Sequence, residues 1–381
     1  MKIAFVYDVI FPYVKGGAEK RFWELAYSLS RRGHEVHLYG MKSWSGAQDF
    51  LKEGVYLHGV GKHRDLYLKS GIRNAWQVWG FTRAIGNALR KEHFDIIDCN
   101  AFPYLPFFEV NKYAEHERIP LVVTWQEVWD TYWYSYAGML KGEIARRIER
   151  RVIKQAGRIV AYSQLVKRAL VNLGRDPSDI CVIHQGIDCA TIQNIEPSCQ
   201  TSDCIFVGRL IREKNVDVLI RAFSTVRKKF PQAQCFIVGG GPEKDRLIQL
   251  AQQLNVREGV VFKDFVEHAE VLALMKASKV LVFPSTREGF GMAVIEAMGC
   301  GLPVVTVSHS LNASTEFVQD NETGYICSLS ADSLASKIES LLNDDAKRKE
   351  MGAHAYRYAQ QFDWERIADA TEHLYASIKP L

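Results

Sequence analysis

The chain alternates short, solidly apolar runs with longer amphipathic ones. Ile3-Ala4-Phe5-Val6-Tyr7 predicts a strand. After Gly16-Gly17, Phe22, Leu25, Ala26 and Leu29 recur at helical spacing. They predict a helix over about 18–31, ended by Gly33, with a strand at 35–39. The same unit returns later. Strand 204–207 meets Gly208-Arg209, and a helix over about 215–229 buries Val218, Leu219, Ala222, Phe223 and Val226. Strand 235–238 then runs into Gly239-Gly240-Gly241-Pro242. Further strands are predicted at 96–99, 121–124, 158–161 and 180–184, and at 260–262, 280–283 and 303–306, with helices between them. Such alternation implies parallel pairing, and solidly apolar strands imply sheets covered on both faces. The pattern weakens over 188–203, around Pro197, which reads as a linker between domains 1–187 and 204–362. The expected architecture is α/β: two doubly wound parallel-sheet domains facing across a cleft, with ligands at the carboxyl ends of strands.

Composition narrows the function classes. A length of 381 residues suits two or three domains, and 47% hydrophobic with 24% charged residues excludes disordered, collagen-like and coiled-coil chains. Net charge is +4, with 27 Lys/Arg against 20 Asp/Glu in residues 1–190 and 21 against 24 in the rest. That excess is too diffuse for a dedicated nucleic-acid binder. It suits an anionic membrane surface or acidic ligand, or equally a merely solvated surface. Eight cysteines without a CxxC pair read as free thiols in a reducing cytoplasm. Met1-Lys2 leads straight into a strand, so no secretory leader is expected. The longest charge-free stretch, 297–315, is broken by Gly299, Gly301 and Pro303, so it is no membrane helix.

Several positions suit phosphate and sugar chemistry. Gly16-Gly17 follows a strand and opens a helix, as a phosphate turn or a plain tight turn would. The triple glycine at 239–241 leaves the same two readings. Arg209 and Lys214 flank a helix start and fit a diphosphate, or are solvated surface charges. The segment Ser285 to Gly299 carries more. Gly289 and Gly291 let backbone amides approach a ligand, a helix should begin near Phe290, Glu288 lies in the loop before it and Glu296 in its second turn. The layout fits a sugar, a diphosphate and a ribose in a row. Reading Glu296 as a surface helix residue explains neither glycine. No two aspartates stand two residues apart, and His34-Glu35-Val36-His37 lacks the HExxH spacing, so no metal site is predicted. Trp125 to Tyr134 is dense in aromatics, for a sugar face, a lipid interface or a satellite core. Trp76 and Trp79, and the basic run Arg146-Arg147-Ile148-Glu149-Arg150-Arg151, suit a membrane surface or a solvated helix face.

Taken in order, these motifs resemble the retaining glycosyltransferases of family 4, which have the GT-B fold, over almost the whole chain. Glu288 and Glu296 have the family's E-x7-E spacing. Arg209 and Lys214 match its phosphate-binding pair, and Gly16-Gly17 its N-terminal glycine loop. Gly239–Pro242 matches its strand–GGGP turn, and Gln185-Gly186-Ile187-Asp188 the motif before the linker. Phe362-Asp363-Trp364 matches the signal before a C-terminal helix, 363–381, that crosses back to the N-terminal domain. The resemblance implies an acceptor-binding N-terminal domain and a C-terminal domain for a UDP- or GDP-sugar. It implies transfer of a hexose with retention to a sugar or lipid-linked hydroxyl. No cofactor is needed beyond this co-substrate, and no nucleic-acid partner. The enzyme would work in the cytoplasm or at the cytoplasmic face of the membrane, with peripheral membrane contact.

By the same resemblance, Glu288 would hold donor-sugar hydroxyls. Phe290, Gly291 and Met292 amides with Arg209 and Lys214 would hold the diphosphate, and Glu296 the ribose. Trp125, Glu127 and Trp129 would lie on the acceptor side. Relatives commonly place a His where this chain has Gln126, near the reacting centre. Gln supplies the carbonyl and one hydrogen bond but carries no proton near neutrality. Weak or lost turnover with intact donor binding is therefore the expectation. A nucleotide-sugar epimerase and a non-catalytic nucleotide-sugar binder are the other readings.

Overall fold

The computed structural model describes residues 1–14, 16–61, 65–66 and 73–378. They form two compact units, Met1–Gly186 with Trp364–Leu381, and Ile187–Asp363. The first holds β1 (Lys2–Val6), α1 (Gly17–Arg31), β2 (Glu35–Gly40), β3 (Asp49–Lys52), β4 (Val55–Gly59), α2 (Ala75–Leu89), β5 (Ile96–Asn100) and α3 (Leu105–Glu117). It continues with β6 (Leu121–Trp125), α4 (Tyr132–Ala137), α5 (Met139–Gln155), β7 (Arg158–Ala161), α6 (Gln164–Asn172) and β8 (Ile180–Val182). Its sheet runs β3-β4-β2-β1-β5-β6-β7-β8, parallel except for the β3–β4 hairpin at one edge. One face is covered by α1 and the C-terminal helix, through Phe22, Leu25, Trp364 and Ile367. The other is covered by α2, α3 and α5, through Phe81, Phe107 and Val152. This two-sided cover is why the central strands are buried along almost their whole length, including the polar side chains His37, Asp98 and Thr124 that they carry.

The second unit holds α7 (Cys189–Asn194), β9 (Ser202–Val207), α8 (Val216–Lys229), β10 (Cys235–Val238), α9 (Lys244–Gln253), β11 (Val260–Lys263), α10 (His268–Lys276) and β12 (Ser278–Phe283). There follow β13 (Arg287–Glu288), α11 (Met292–Gly299), β14 (Val304–Val307), β15 (Leu311–Asn312), β16 (Gly324–Cys327), α12 (Ala331–Asn343) and α13 (Asp345–Ala359). Its main sheet, β11-β10-β9-β12-β14-β16, is wholly parallel, and β13 pairs with β15 apart from it. Both sheets are doubly wound: the chain fills one side, then returns to fill the other. The reversal falls between β1 and β5 in the first and between β9 and β12 in the second. Two adjacent strands there send their loops to opposite faces, which opens a crevice at their carboxyl ends.

Three features differ from the sequence reading. The stretch expected as a linker, 188–203, is part of the second unit. Asp188 caps α7 by accepting from Thr191 N at 2.7 Å, and Ser198 N bonds Ala273 O at 2.9 Å. The periodicity is weak there because one short capped helix fills it. The edge strands β3 and β4 were not read, because they are half-exposed and joined by the two-residue turn Glu53-Gly54. Strand β16 was also missed; four residues beginning with Gly are too short to stand out.

The C-terminal helix α14 (Trp364–Ser377) belongs to the first unit, and residues 379–381 of the expected crossover helix lie outside the described residues. A Cβ on Gly186 would come within 2.4 Å of the Trp364 ring, so the glycine makes room for that side chain. Arg32 pairs with Glu365, Asp369 and Glu372 of the helix, and Tyr375 Oη donates to buried Asp98 at 2.6 Å. Among the described residues, no helix is long and apolar enough to cross a membrane.

Candidate active site

In the second unit, the groups singled out in the sequence gather where β9 and β12 end. Arg209 leaves β9 two residues past its end and is exposed. Its loop is held by the triple glycine. Gly208 N donates to Val238 O at 3.0 Å and Leu210 N to Gly240 O at 2.8 Å. Cβ atoms on Gly239 and Gly241 would sit 2.1 Å from Gly208 O and 2.4 Å from Leu210 O, and their φ values are +132° and +156°. Only glycine allows both the conformation and the contact. The 239–241 turn is therefore the support of the Arg209 loop.

Lys214 ends a 3₁₀ turn, and its Nζ forms an ion pair with Glu288 Oε1. Lys214 also lies 5.2 Å from the Phe283 ring centroid. Both partners are largely buried, so water screens the pair little. Backbone and side-chain bonds align the two segments. Thr286 N donates to Glu213 O at 2.9 Å, and Asn215 Nδ2 donates to Pro284 O at 3.1 Å. The loop after one strand is thus stitched to the loop after its neighbour.

Gly291 precedes α11 with φ +101°, and a Cβ there would lie 2.8 Å from Ser314 Cβ. Ser314 is fixed by a buried polar network that sequence reasoning missed. Its Oγ donates to Asn312 Oδ1 at 2.6 Å, and Asn312 Nδ2 donates to Val307 O at 2.9 Å. Phe290 is buried against Phe317, ring centroids 4.6 Å apart, and Met292 is the first residue of α11. Glu296 follows in the second turn, buried, with His268 Nε2 hydrogen-bonded to its Oε1 at 2.7 Å. Burial, together with the nearby Glu296 carboxylate, pushes the Cys300 thiol up to about 12. His268 begins α10, far off in sequence, so no local motif marks it. Glu288, Arg209, Lys214, Phe290, Gly291, Met292 and Glu296 thus all lie at the carboxyl ends of two adjacent strands.

In the first unit, Gly16 is the N-cap of α1 in extended backbone, and the Glu19 side chain folds over it. Burial pushes the Glu19 carboxyl up. Gln126 follows β6 and donates from Nε2 to Asn100 Oδ1 at 2.9 Å. Trp125, expected on the acceptor side, is instead core. It is buried at the end of β6, 5.7 Å from the Tyr104 ring, and its Nε1 donates to Glu127 O at 2.9 Å. Glu127 and Trp129 remain half-buried; Trp129 Nε1 donates to Glu127 Oε2 at 3.2 Å, and Trp129 stacks on Phe102.

This loop rests on a carboxylate the sequence reading treated only as part of a basic run. Glu149 of α5 is buried and accepts from Tyr104 Oη at 2.7 Å, Trp129 N at 2.8 Å, Asp130 N at 2.7 Å and Trp133 Nε1 at 3.1 Å. Burial pushes its carboxyl up, and the four donors work against that shift.

Comparison with known proteins follows the same division. A family model described as Glycosyltransferase Family 4 matches residues 15–191, and one described as Glycosyl transferases group 1 matches 195–358. Glycogen synthase of Mycobacterium tuberculosis is 26% identical over 395 residues, 97% of this chain and 92% of that one. The D-inositol 3-phosphate glycosyltransferase of Kineococcus radiotolerans is 27% identical over 399 residues, covering 94% and 90%. Sucrose-phosphate synthase from Thermosynechococcus elongatus superimposes with a TM-score of 0.81 at 20% identity, over 98% of each chain. Anabaena HepE, solved with UDP and glucose, superimposes with 0.76 at 21% identity, over 99% and 100%.

Proposed function

This chain belongs to the family 4 glycosyltransferases, and we propose that it moves a hexose, with retention, from UDP- or GDP-sugar to a sugar or lipid-linked hydroxyl. The observation that carries the donor side is the set Arg209, Lys214, Glu288 and Glu296 at the switch point of the second sheet. Arg209, Lys214 and the amides opening α11 hold the diphosphate, Glu296 the ribose and Glu288 the sugar hydroxyls. Uridine as the nucleoside is supported by HepE, which was solved with UDP-glucose. On the acceptor side, Glu127 and Trp129 face the incoming sugar and Gln126 orients the reacting groups, while Gly16-Gly17, opening α1, belongs with the donor-binding groups.

In the reaction, the bond from the anomeric carbon to the β-phosphate oxygen breaks, and its electron pair stays on that oxygen. The acceptor oxygen bonds to the same face of the carbon, and its proton passes to the departing phosphate. The products are the glycoside and a nucleoside diphosphate. The protein's share is placement and stabilisation of charge on the diphosphate, so no enzymic nucleophile and no cofactor are required.

The test is a thermal-shift screen of nucleotides and nucleotide sugars, followed by NMR of the product's anomeric configuration. A ligand at 100 times its Kd should stabilise by about 2.7 kcal/mol. No shift with any UDP or GDP compound sinks the donor assignment, and an inverted product sinks retention. Gln126→His probes the position expected near the reacting centre. Faster transfer at unchanged donor affinity means that a titrating side chain was missing there, and an unchanged rate means that the amide suffices.

A further inference from the structure

Glu35 and His37, weighed in the sequence only as part of a metal motif, belong to a chain of polar groups across the edge of the first sheet. His37 Nε2 lies 3.0 Å from Glu35 Oε1, and its Nδ1 lies 2.8 Å from His58 Nε2. His58 Nδ1 lies 3.4 Å from Asp49 Oδ1. The chain thus runs from β2 through β4 to β3. The two imidazoles are stacked 2° from parallel with centroids 5.1 Å apart, with Tyr56 stacked on His37 and Tyr39 on His58. Among the described residues, no group of three His, Cys, Asp or Glu could hold a metal ion, so the pair needs another account.

Its place gives it leverage. Strands β3 and β4 form a hairpin that joins the sheet through the β2–β4 ladder, and the His37–His58 contact spans that seam. The loop 41–48 leading into the hairpin is clipped to it, with Gly59 N donating to Gln48 O at 2.9 Å. Trp44 in that loop packs on Tyr13, in the segment before Gly16, with ring centroids 5.2 Å apart. His58 also lines a cavity of about 240 Å³ with Asp49, Asn87 and Lys91, which are exposed, so water reaches the ring.

Two neutral imidazoles bring two N–H groups to three gaps. One added proton fills the third, the long gap at Asp49. A second sets N–H against N–H across the His37–His58 contact, between two stacked positive rings. Burial pushes both imidazoles below the ordinary histidine range, against the pull of Glu35 on His37 and of Asp49 on His58. The other charged groups facing the pair are Lys2 of β1 and Glu92 beyond α2. Lys2 pairs with Glu35 at 2.8 Å and Glu92 at 2.7 Å, holds both carboxyls below their usual range, and opposes charge on His37.

We propose that His37 and His58 are an acid-released latch on the β3–β4 hairpin: neutral, or sharing one added proton, they tie β4 to β2, and a second proton lets the hairpin and the 41–48 loop detach. Acid would thereby loosen Trp44 at the carboxyl edge of the first unit. The latch stands apart from the donor and acceptor assignments. The sign follows from proton counting. An opened hairpin takes up both protons in the ordinary histidine range, near about 6.5, whereas the closed one holds at most one. The closed edge is therefore most stable above that range and loses stability as pH falls below it, by about tenfold per pH unit for each proton excluded.

Amide hydrogen exchange of the full chain at about pH 7.5, 6 and 5 tests this, read as protection factors so that the intrinsic pH dependence of exchange is removed. Amides of the β2–β4 ladder should lose about ten- to hundredfold protection between pH 6 and 5, while those of the β9–β10 ladder hold. His37→Gln with His58→Gln carries no titrating ring, and its protection should stay level over that interval. Carbon-13 NMR of the imidazoles in the unaltered chain is the second measure and needs no variant. Full protonation of both rings should coincide with loss of β2–β4 protection. Level protection in the parent chain, or a loss that the double variant retains, overturns the latch. So do two imidazoles that titrate independently near about 6.5 with the ladder still protected.

Discussion

At the switch point of the second sheet, polar side chains stand in pairs: Lys214 forms an ion pair with Glu288, and His268 is hydrogen-bonded to Glu296. At the corresponding edge of the first sheet, the loop carrying Gln126 and Trp129 is held by amides, rings and one buried carboxylate, Glu149, from a helix twenty residues on. The arrangement in the second unit suits a ligand of fixed charge such as a diphosphate, which needs cations on rigid backbone. That in the first unit suits a neutral polyol, which needs a rigid loop more than charge. The function proposed above gives each unit a different half of a transfer reaction, and the contrast can be tested one unit at a time.

The largest effect is expected from Gly239→Ala. Its Cβ would fall 2.1 Å from Gly208 O at φ +132°, so the Arg209 loop must move. Nucleotide binding should be lost, and the melting temperature should drop by roughly 3–10 °C. Normal binding in this variant would show that the glycine turn does not support Arg209. Next come Arg209→Ala and Lys214→Ala. Each removes a charge-assisted contact of about 1.5–3 kcal/mol, so calorimetry should read a loss of about 10- to 150-fold for a nucleoside diphosphate. The bare nucleoside should be unaffected; equal losses for both ligands refute phosphate binding.

Glu149→Ala acts on the first unit. The amides of Trp129 and Asp130 lose their acceptor, at about 1–3 kcal/mol for a buried group, and tryptophan fluorescence should change with the loop. Nucleotide affinity should stay as it was; if it falls with stability, the two units are not energetically separate. The smallest effect belongs to His268→Ala, about two- to tenfold for UDP or GDP, through a Glu296 no longer held in place. The 2′,3′-dideoxy nucleotides should lose nothing, and an equal loss for them would mean that His268 does not act through the ribose carboxylate.

The second unit was legible because its chemistry is local. Arg209 and Lys214 are five residues apart and Glu288 and Glu296 eight, each group tied to a strand end that periodicity reveals. What supports them was not legible. His268 and the Thr306, Asn312 and Ser314 network reach the site only through tertiary packing. Trp125 shows the same limit in the first unit. A tryptophan after a strand reads alike whether it lines a site or fills a core, and only the neighbouring Tyr104 and Glu127 decide. Glu149 sat within a run of arginines and read as a solvated face, although its register on the helix turns it inward.

The chain enters the second unit at Ile187 and leaves it at Asp363, and these residues are bridged, with Ile187 N donating to Phe362 O at 2.8 Å. In topological terms the second unit is an insertion whose two ends meet, spliced between Gly186 and Trp364 of its host. Insertions with adjoining ends can be excised without cutting a sheet. Residues 187–363 are therefore expected to fold when produced alone or grafted into a relative, with donor preference expected to travel with them.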